Sequence, residues 1–138
     1  MRLLLIFFSL SLLTSPAVAE NSIPIESGLW EITTTMTSPM SEQPQVKTTQ
    51  ECMDQDSISV EDISPGDGNE CDTIETNVNG STLTWSMQCS AQGGTMSGSG
   101  NFTSNGDSGH GNMQMDMSIQ GQSMSMTMSW KGKRISSC

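Results

Sequence analysis

Met113-Gln114-Met115-Asp116-Met117-Ser118-Ile119-Gln120-Gly121-Gln122-Ser123-Met124-Ser125-Met126-Thr127-Met128 places a methionine at every second position on both sides of a short break. A period of two is that of a β-strand, whose side chains alternate between faces. The stretch therefore predicts a hairpin with six thioethers on one face and Gln, Asp, Ser and Thr on the other. A two-residue turn at Gln120-Gly121 sets Met117, Met115, Met113 and Gly111 opposite Met124, Met126, Met128 and Trp130.

Three further turns extend the pattern backwards. Asn79-Gly80, the strongest hairpin signal in the chain, sets Ile74 opposite Trp85 and Thr76 opposite Leu83. Gln92-Gly93 sets Leu83 opposite Phe102, Trp85 opposite Gly100 and Cys89 opposite Met96; Asn105-Gly106 sets Phe102 opposite Gly109, Gly100 opposite Gly111 and Met96 opposite Met115. All four turns keep the apolar set on one face, and a slip of one residue at any of them would divide it between two faces. The result is a five-stranded meander from Cys71 onward. Its inner face carries a plaque of Met87, Met96, Met113, Met115, Met117, Met124, Met126 and Met128, and a row running Ile74, Trp85, Gly100, Gly111, Trp130.

Upstream, residues 20–27 read as a loose lead-in. Gly28 to Met36 is a strand with Trp30, Ile32, Thr34 and Met36 on one side, and the polar run Gln45 to Glu51 is an edge strand. Asp54 is expected to cap a short helix ending before Pro65, with Ile58 and Ile63 facing inward, and a turn follows at Pro65-Gly66-Asp67-Gly68-Asn69. The expected fold is all-β: an antiparallel meander of about seven strands forming a curved sheet or small barrel, with one short helix. So apolar a face needs a cover, and closure of the sheet on itself is the simplest.

The chain opens with Met1-Arg2, runs through an apolar stretch from Leu3 to Leu13 and reaches Ala17-Val18-Ala19. This pattern is that of a secretory signal peptide over residues 1–19, cleaved near Ala19, leaving one exported domain at 20–138 in the periplasm or outside the cell. The apolar run is too short for a membrane span. A formal net charge of −10 repels nucleic acid and anionic lipid, so neither is expected as a partner. Aliphatic residues are so scarce after residue 19 that composition alone resembles that of a disordered chain. The alternation, the 4 cysteines, the 12 methionines and the 3 tryptophans oppose that reading, because thioethers bury as other apolar groups do and disulfides support thin cores.

Certain of these residues belong together in another way. Gly28-Leu29-Trp30-Glu31, the four cysteines, Trp85-Ser86-Met87-Gln88-Cys89, Gly98-Ser99-Gly100, the alternating methionines, and Gly132-Lys133-Arg134-Ile135 ahead of Cys138 resemble a family of small exported bacterial proteins, domain of unknown function 3617. The resemblance spans nearly all of residues 20–138. It implies export and a disulfide-bearing β domain, and it carries over no catalytic residue.

The chemistry open to the chain is narrow. Cys52, Cys71, Cys89 and Cys138 allow three pairings; Cys52 with Cys71 and Cys89 with Cys138 is the expectation, with a zinc site as the alternative. A bay around Trp85, Gly100, Gly111, Trp130, Met87 and Met128 would take a small apolar ligand or an envelope protein, since glycines leave room beneath an indole. The opposing reading is that the indoles lie across the glycines and fill that room. Copper(I) is the alternative ligand, held by Met113, Met115, Met126 and Met128, because soft thioethers select that ion; no other cofactor is expected. The opposing reading there is that the methionines are simply core. His110 falls opposite Asn101 and Lys131 on the outer face, away from the plaque, and a Ser, His and Asp set built on His110 and Asp107 has nothing further to support it, so no enzyme is expected.

Overall fold

The computed structural model describes residues 21–63, 70–91 and 93–138. Residues 1–20, which contain the expected signal peptide, and the expected turn at 65–69 lie outside them. The described chain forms, in order, β1 (Ser22–Pro24), β2 (Gly28–Thr37), β3 (Gln45–Met53), β4 (Ser57–Ser59), α1 (Val60–Ile63), β5 (Glu70–Asn79), β6 (Thr82–Ala91), β7 (Gly94–Ser104), β8 (Ser108–Ile119) and β9 (Gln122–Ser136). The expected antiparallel meander is present as β5 to β9. The hairpin β2–β3 joins it through β9, giving a seven-stranded sheet in the order β3-β2-β9-β8-β7-β6-β5.

The sheet is not a barrel: β3 and β5 stand at opposite ends of that order. Both edges are blunted against further pairing. β3 is polar and, by register with Thr34 and Trp130, sets Lys47 in the inner row, an inward charge that discourages edge-to-edge addition. In β5 the register jumps between Thr73 and Glu75, a bulge at Ile74 of the kind that twists an edge away.

Two of the four hairpin registers are as expected. Leu83 faces Phe102, Trp85 faces Gly100 and Cys89 faces Met96; Met117, Met115, Met113 and Gly111 face Met124, Met126, Met128 and Trp130. In that last hairpin Gln120 and Gly121 both have positive φ, 52° and 80°, as a type I′ turn requires.

The other two registers are displaced by two residues. Asn79 pairs with Thr82, so Thr76 and not Ile74 faces Trp85, and Val78 faces Leu83. Ser104 pairs with Gly109, so Phe102 faces Gly111, Gly100 faces Met113 and Met96 faces Met117. At both Asn-Gly sites the glycine takes the first central position of the turn, with φ of 61° at Gly80 and 89° at Gly106; Asn79 is the last residue of β5, and Asn105, one residue beyond β7, donates its N–H to Ser108 O. A shift of two keeps every side chain on its face, which is why the inner face survives intact while its rows change. His110 accordingly faces Thr103 and Lys131 rather than Asn101.

The cover for the inner face comes from the segments before and after the first hairpin. Over its described part, residues 21–27, the expected loose lead-in is instead tied down: β1 pairs with β4, Ile23 opposite Ile58, and Ile25 N–H donates to Asp56 O at 3.0 Å. The helix begins at Val60 rather than near Asp54. Its cap is Ser59, whose N–H and hydroxyl both donate to the Asp62 carboxylate, at 2.7 and 2.8 Å, one half of a capping box. Ile23, Ile25, Ile58 and Val60 from this roof are buried with Trp30, Leu83, Trp85, Met87, Cys89, Met96, Met113 and Met115 from the sheet. Four roof aliphatics thus do the work that sheet closure would otherwise perform.

The roof is pinned to the turn between β7 and β8. Glu26 N–H donates to Gly106 O at 2.9 Å, and Arg134 N–H to Asp107 O at 2.8 Å. Ser104, 3 % exposed, donates its hydroxyl to Pro24 O at 2.6 Å and accepts from Gly106 N–H at 3.1 Å, so its buried oxygen is satisfied in both roles.

The disulfides are Cys71–Cys89 and Cys52–Cys138, not the expected pairs. The bulge at Ile74 brings Cys71 directly opposite Cys89. Cys52 faces Leu29 on β2, whose other neighbour is Ser136 on β9, so the end of the chain arrives beside β3 without folding back.

Candidate functional site

Burial along the inner face is graded. Met87, Met96, Met113 and Met115 are buried, whereas Met117, Met124, Met126, Met128 and Met36 are half-buried. The methionines form cross-strand pairs, Met113 with Met128, Met115 with Met126 and Met117 with Met124, and Met36 of β2 extends the first pair as Met128's other neighbour. The structure therefore brings together the four residues proposed for copper(I) as two neighbouring cross-strand pairs on one face, Met113 and Met115 buried and Met126 and Met128 half-buried.

The indoles lie across glycines. A Cβ on Gly100 would stand 2.6 Å from Trp85 Cζ2, and one on Gly109 would stand 2.5 Å from Phe102 Cζ. Gly111 is likewise covered by Phe102, its Cβ position 3.1 Å from Cδ2. Rings laid over cross-strand glycines also account for a further geometric feature. Trp85 and Trp130 sit on β6 and β9, three strand spacings or roughly 14 Å apart on a flat sheet, yet their ring centroids are 6.4 Å apart and tilted by 41°. The sheet coils, and the glycine rows let the two rings lean together. The Trp85 indole N–H is buried with no acceptor among the described residues.

Of the six residues named for a ligand bay, Trp85 and Met87 are buried, Gly100 and Gly111 are covered by rings, and Met128 lies among the half-buried methionines. Of the six, Trp130 lines a cavity on the inner face. That cavity, of about 270 Å³, lies between the roof and the β3-β2-β9 end of the sheet. Ile25, Ile58 and Ile63 come from the roof side, and Trp30, Ile32, Met53, Phe102 and Trp130 from the sheet. Trp30 is held in place by its indole N–H, which donates to Glu26 O at 2.8 Å, and by Gly132, whose missing side chain leaves the ring 3.3 Å from the ideal Cβ position.

Two exposed carboxylates, Glu51 on β3 and Asp62 on α1, complete the lining, with Thr34 and Thr49 between. Burial pushes the Asp62 carboxyl up, but hydrogen bonds from the Ser59 N–H, the Ser59 hydroxyl and Gln55 outweigh it and hold the group below its ordinary value. Asp62 is thus a carboxylate at neutral pH. A larger groove of about 400 Å³ lies against the opposite face, lined by the polar side chains of Thr84, Ser86, Ser99, Asn101, Asn112 and Gln114, with Trp85 and Gly100 of the predicted bay at its floor and Glu75 beside them. It is open and polar, and its side chains are those of an ordinary solvated sheet face. Among the described residues no group of three or more His, Cys, Asp or Glu side chains is placed to hold a metal ion, and no helix is long and apolar enough to cross a membrane.

Fold and site together define a class: a disulfide-bonded, open antiparallel sheet, roofed at one end over an apolar cavity. Its paired cysteines are compatible with an oxidising compartment outside the cytoplasm. Residues 25–138 match the family described as protein of unknown function (DUF3617), and the chain belongs to that family. No curated protein and no solved structure shows a significant match to it.

Proposed function

We propose that this is an exported, non-enzymatic binding protein that takes a small apolar ligand in the cavity beneath its roof. Export rests on the pattern at residues 1–19 together with the two disulfides. The observation that carries the binding reading is the cavity itself, a half-open space of about 270 Å³ walled by Trp30, Ile32, Met53, Ile58, Phe102 and Trp130. Ligand pockets combine such apolar walls with a few polar groups, and this one is slightly smaller than the usual range of about 300–1,000 Å³, which fits a small ligand. A small ligand is favoured over an envelope protein because the roof makes the aromatic end of the face concave rather than flat.

The test is a titration of the oxidised protein with toluene, followed through the Trp indole and Ile and Met methyl NMR signals. Shifts confined to Trp30, Ile32, Met53, Ile58, Ile63 and Trp130, and abolished by the cavity-filling substitution Ile63→Trp, are expected. Shifts that are absent, or that persist in I63W, would sink the reading.

The half-buried methionines favour a second reading, a copper(I) site. Directly paired strand residues have Cβ atoms about 4.5–5.5 Å apart, within reach of one soft ion for flexible thioethers. Replacing Met113, Met115, Met126 and Met128 by Leu, a change that keeps the apolar volume, should then abolish copper(I) binding measured against a competing chelator. Unchanged binding in that variant excludes the site.

A further inference from the structure

Resting on the reading of the roofed cavity as a binding site, we propose that its ligand is a small organic cation with an apolar body, such as a quaternary ammonium or a protonated hydrophobic amine. Three of the four aromatic side chains found after residue 19, Trp30, Phe102 and Trp130, line this one cavity. The negative faces of aromatic rings attract cations, indoles most strongly. The two charged residues in the lining are both acidic, and they come from opposite sides, Glu51 from the sheet edge and Asp62 from the roof; among the described residues no Lys, Arg or His lines the space.

A neutral apolar ligand gains nothing from two carboxylates at the mouth and loses some of their hydration on entry. A cation seated on the rings offsets both. Asp62 is kept ionised by its Ser59 and Gln55 hydrogen bonds, and Glu51 is exposed on the edge strand in register with Trp30. The chain's net charge of −10 raises the local concentration of cations further. At about 30 Å³ per water the cavity of about 270 Å³ has room for about nine waters, which suits a ligand of roughly ten heavy atoms.

Phenyltrimethylammonium and its uncharged isostere tert-butylbenzene separate charge from shape. Each is titrated into the oxidised protein by calorimetry while the indole signals of Trp30 and Trp130 are followed by NMR. The expected result is binding of the cation about tenfold tighter than its isostere. That advantage should narrow at high salt and should shrink several-fold in E51Q and in D62N, with both indole signals moving. Glu51→Gln is the decisive variant because Asp62 also caps α1. Equal binding of the two probes, or tighter binding of tert-butylbenzene, overturns the inference and leaves the apolar cavity standing. If neither probe moves the Trp30 and Trp130 signals, both readings fall. A cation advantage that E51Q and D62N leave untouched places the charge recognition elsewhere and also overturns it.

Discussion

Replacing Gly100 by alanine tests the claim that an indole fills the space above a cross-strand glycine. In a strand, Gly→Ala ordinarily stabilises, by about 0.5–1 kcal/mol, because the glycine loses more freedom on folding. Here the new Cβ would stand 2.6 Å from Trp85 Cζ2, 2.9 Å from Cε2 and 2.8 Å from the Asn112 carbonyl oxygen. Carbon pairs settle at about 3.5–4.0 Å, so the indole must withdraw by about 1 Å. It has nowhere to go: Trp85 is 3 % exposed and Trp130 lies on its flank at 6.4 Å. Overpacking of this kind costs about 1–3 kcal/mol, leaving a net loss of about 1–2 kcal/mol, or roughly 4–8 °C in Tm for a domain of this size.

Urea and thermal unfolding of G100A, read by tryptophan fluorescence and near-ultraviolet circular dichroism, measure that loss. The same substitution in a Trp85→Phe background isolates the ring. Phenylalanine lacks the six-membered ring of the indole that reaches Gly100, so the penalty should shrink by about 0.5 kcal/mol or more, the coupling expected of groups in contact. A G100A protein as stable as its parent would refute the packing argument. An equal penalty in both backgrounds would move the clash to the Asn112 carbonyl and refute the role given to Trp85.

Ser104→Ala removes a buried hydroxyl that serves Pro24 O and Gly106 N–H, and a loss of about 1–3 kcal/mol in urea unfolding is expected. Opening Cys52–Cys138 should cost more than opening Cys71–Cys89: their sequence separations of 86 and 18 correspond to about 4.6 and 3.2 kcal/mol of loop-closure entropy. Paired serine variants in denaturant melts check the order. Asp62, with its folded pKa held below the ordinary value of 3.8, contributes stability that is fully present above that value and is lost as pH falls through the folded pKa. D62N should therefore be less stable than the parent at neutral pH, with the difference closing at acid pH; a gap that persists there would mean that the capping geometry, not the charge, carries the effect.

The inner face was legible in the sequence because alternation with a period of two survives any even error in register. The rows within it were not, since Asn79-Gly80 and Asn105-Gly106 fit a turn with either the asparagine or the glycine in the first central position. What decides between them at the second site is tertiary: Glu26 and Arg134 hold the Gly106 and Asp107 carbonyls, contacts from far along the chain. The bulge at Ile74 left no local mark, and with it went the pairing of Cys71 to Cys89.

The cavity is not legible in the sequence because part of its wall, Ile25, Ile58, Asp62 and Ile63, belongs to the roof. Ser22-Ile23-Pro24-Ile25-Glu26 does alternate, and that signal could have been found. Pro24 is accommodated because a proline is tolerated in a two-stranded edge pairing such as this one. Trp130 was identified from its own hairpin, whereas Trp30, Met53, Ile58 and Ile63 gather around it only once β2 docks on β9.

That docking sets an order of events. Because β2 takes its place beside β9, the early hairpin has no permanent neighbour until the last strand of the sheet has been delivered. A chain emerging N-terminus first can close its central meander progressively, but its first hairpin waits, with Trp30 uncovered and Cys52 unpaired. Such long-range pairing makes for slow folding. The bond between Cys52 and Cys138 is accordingly the last to become possible, and its formation reports that the whole sheet has come together.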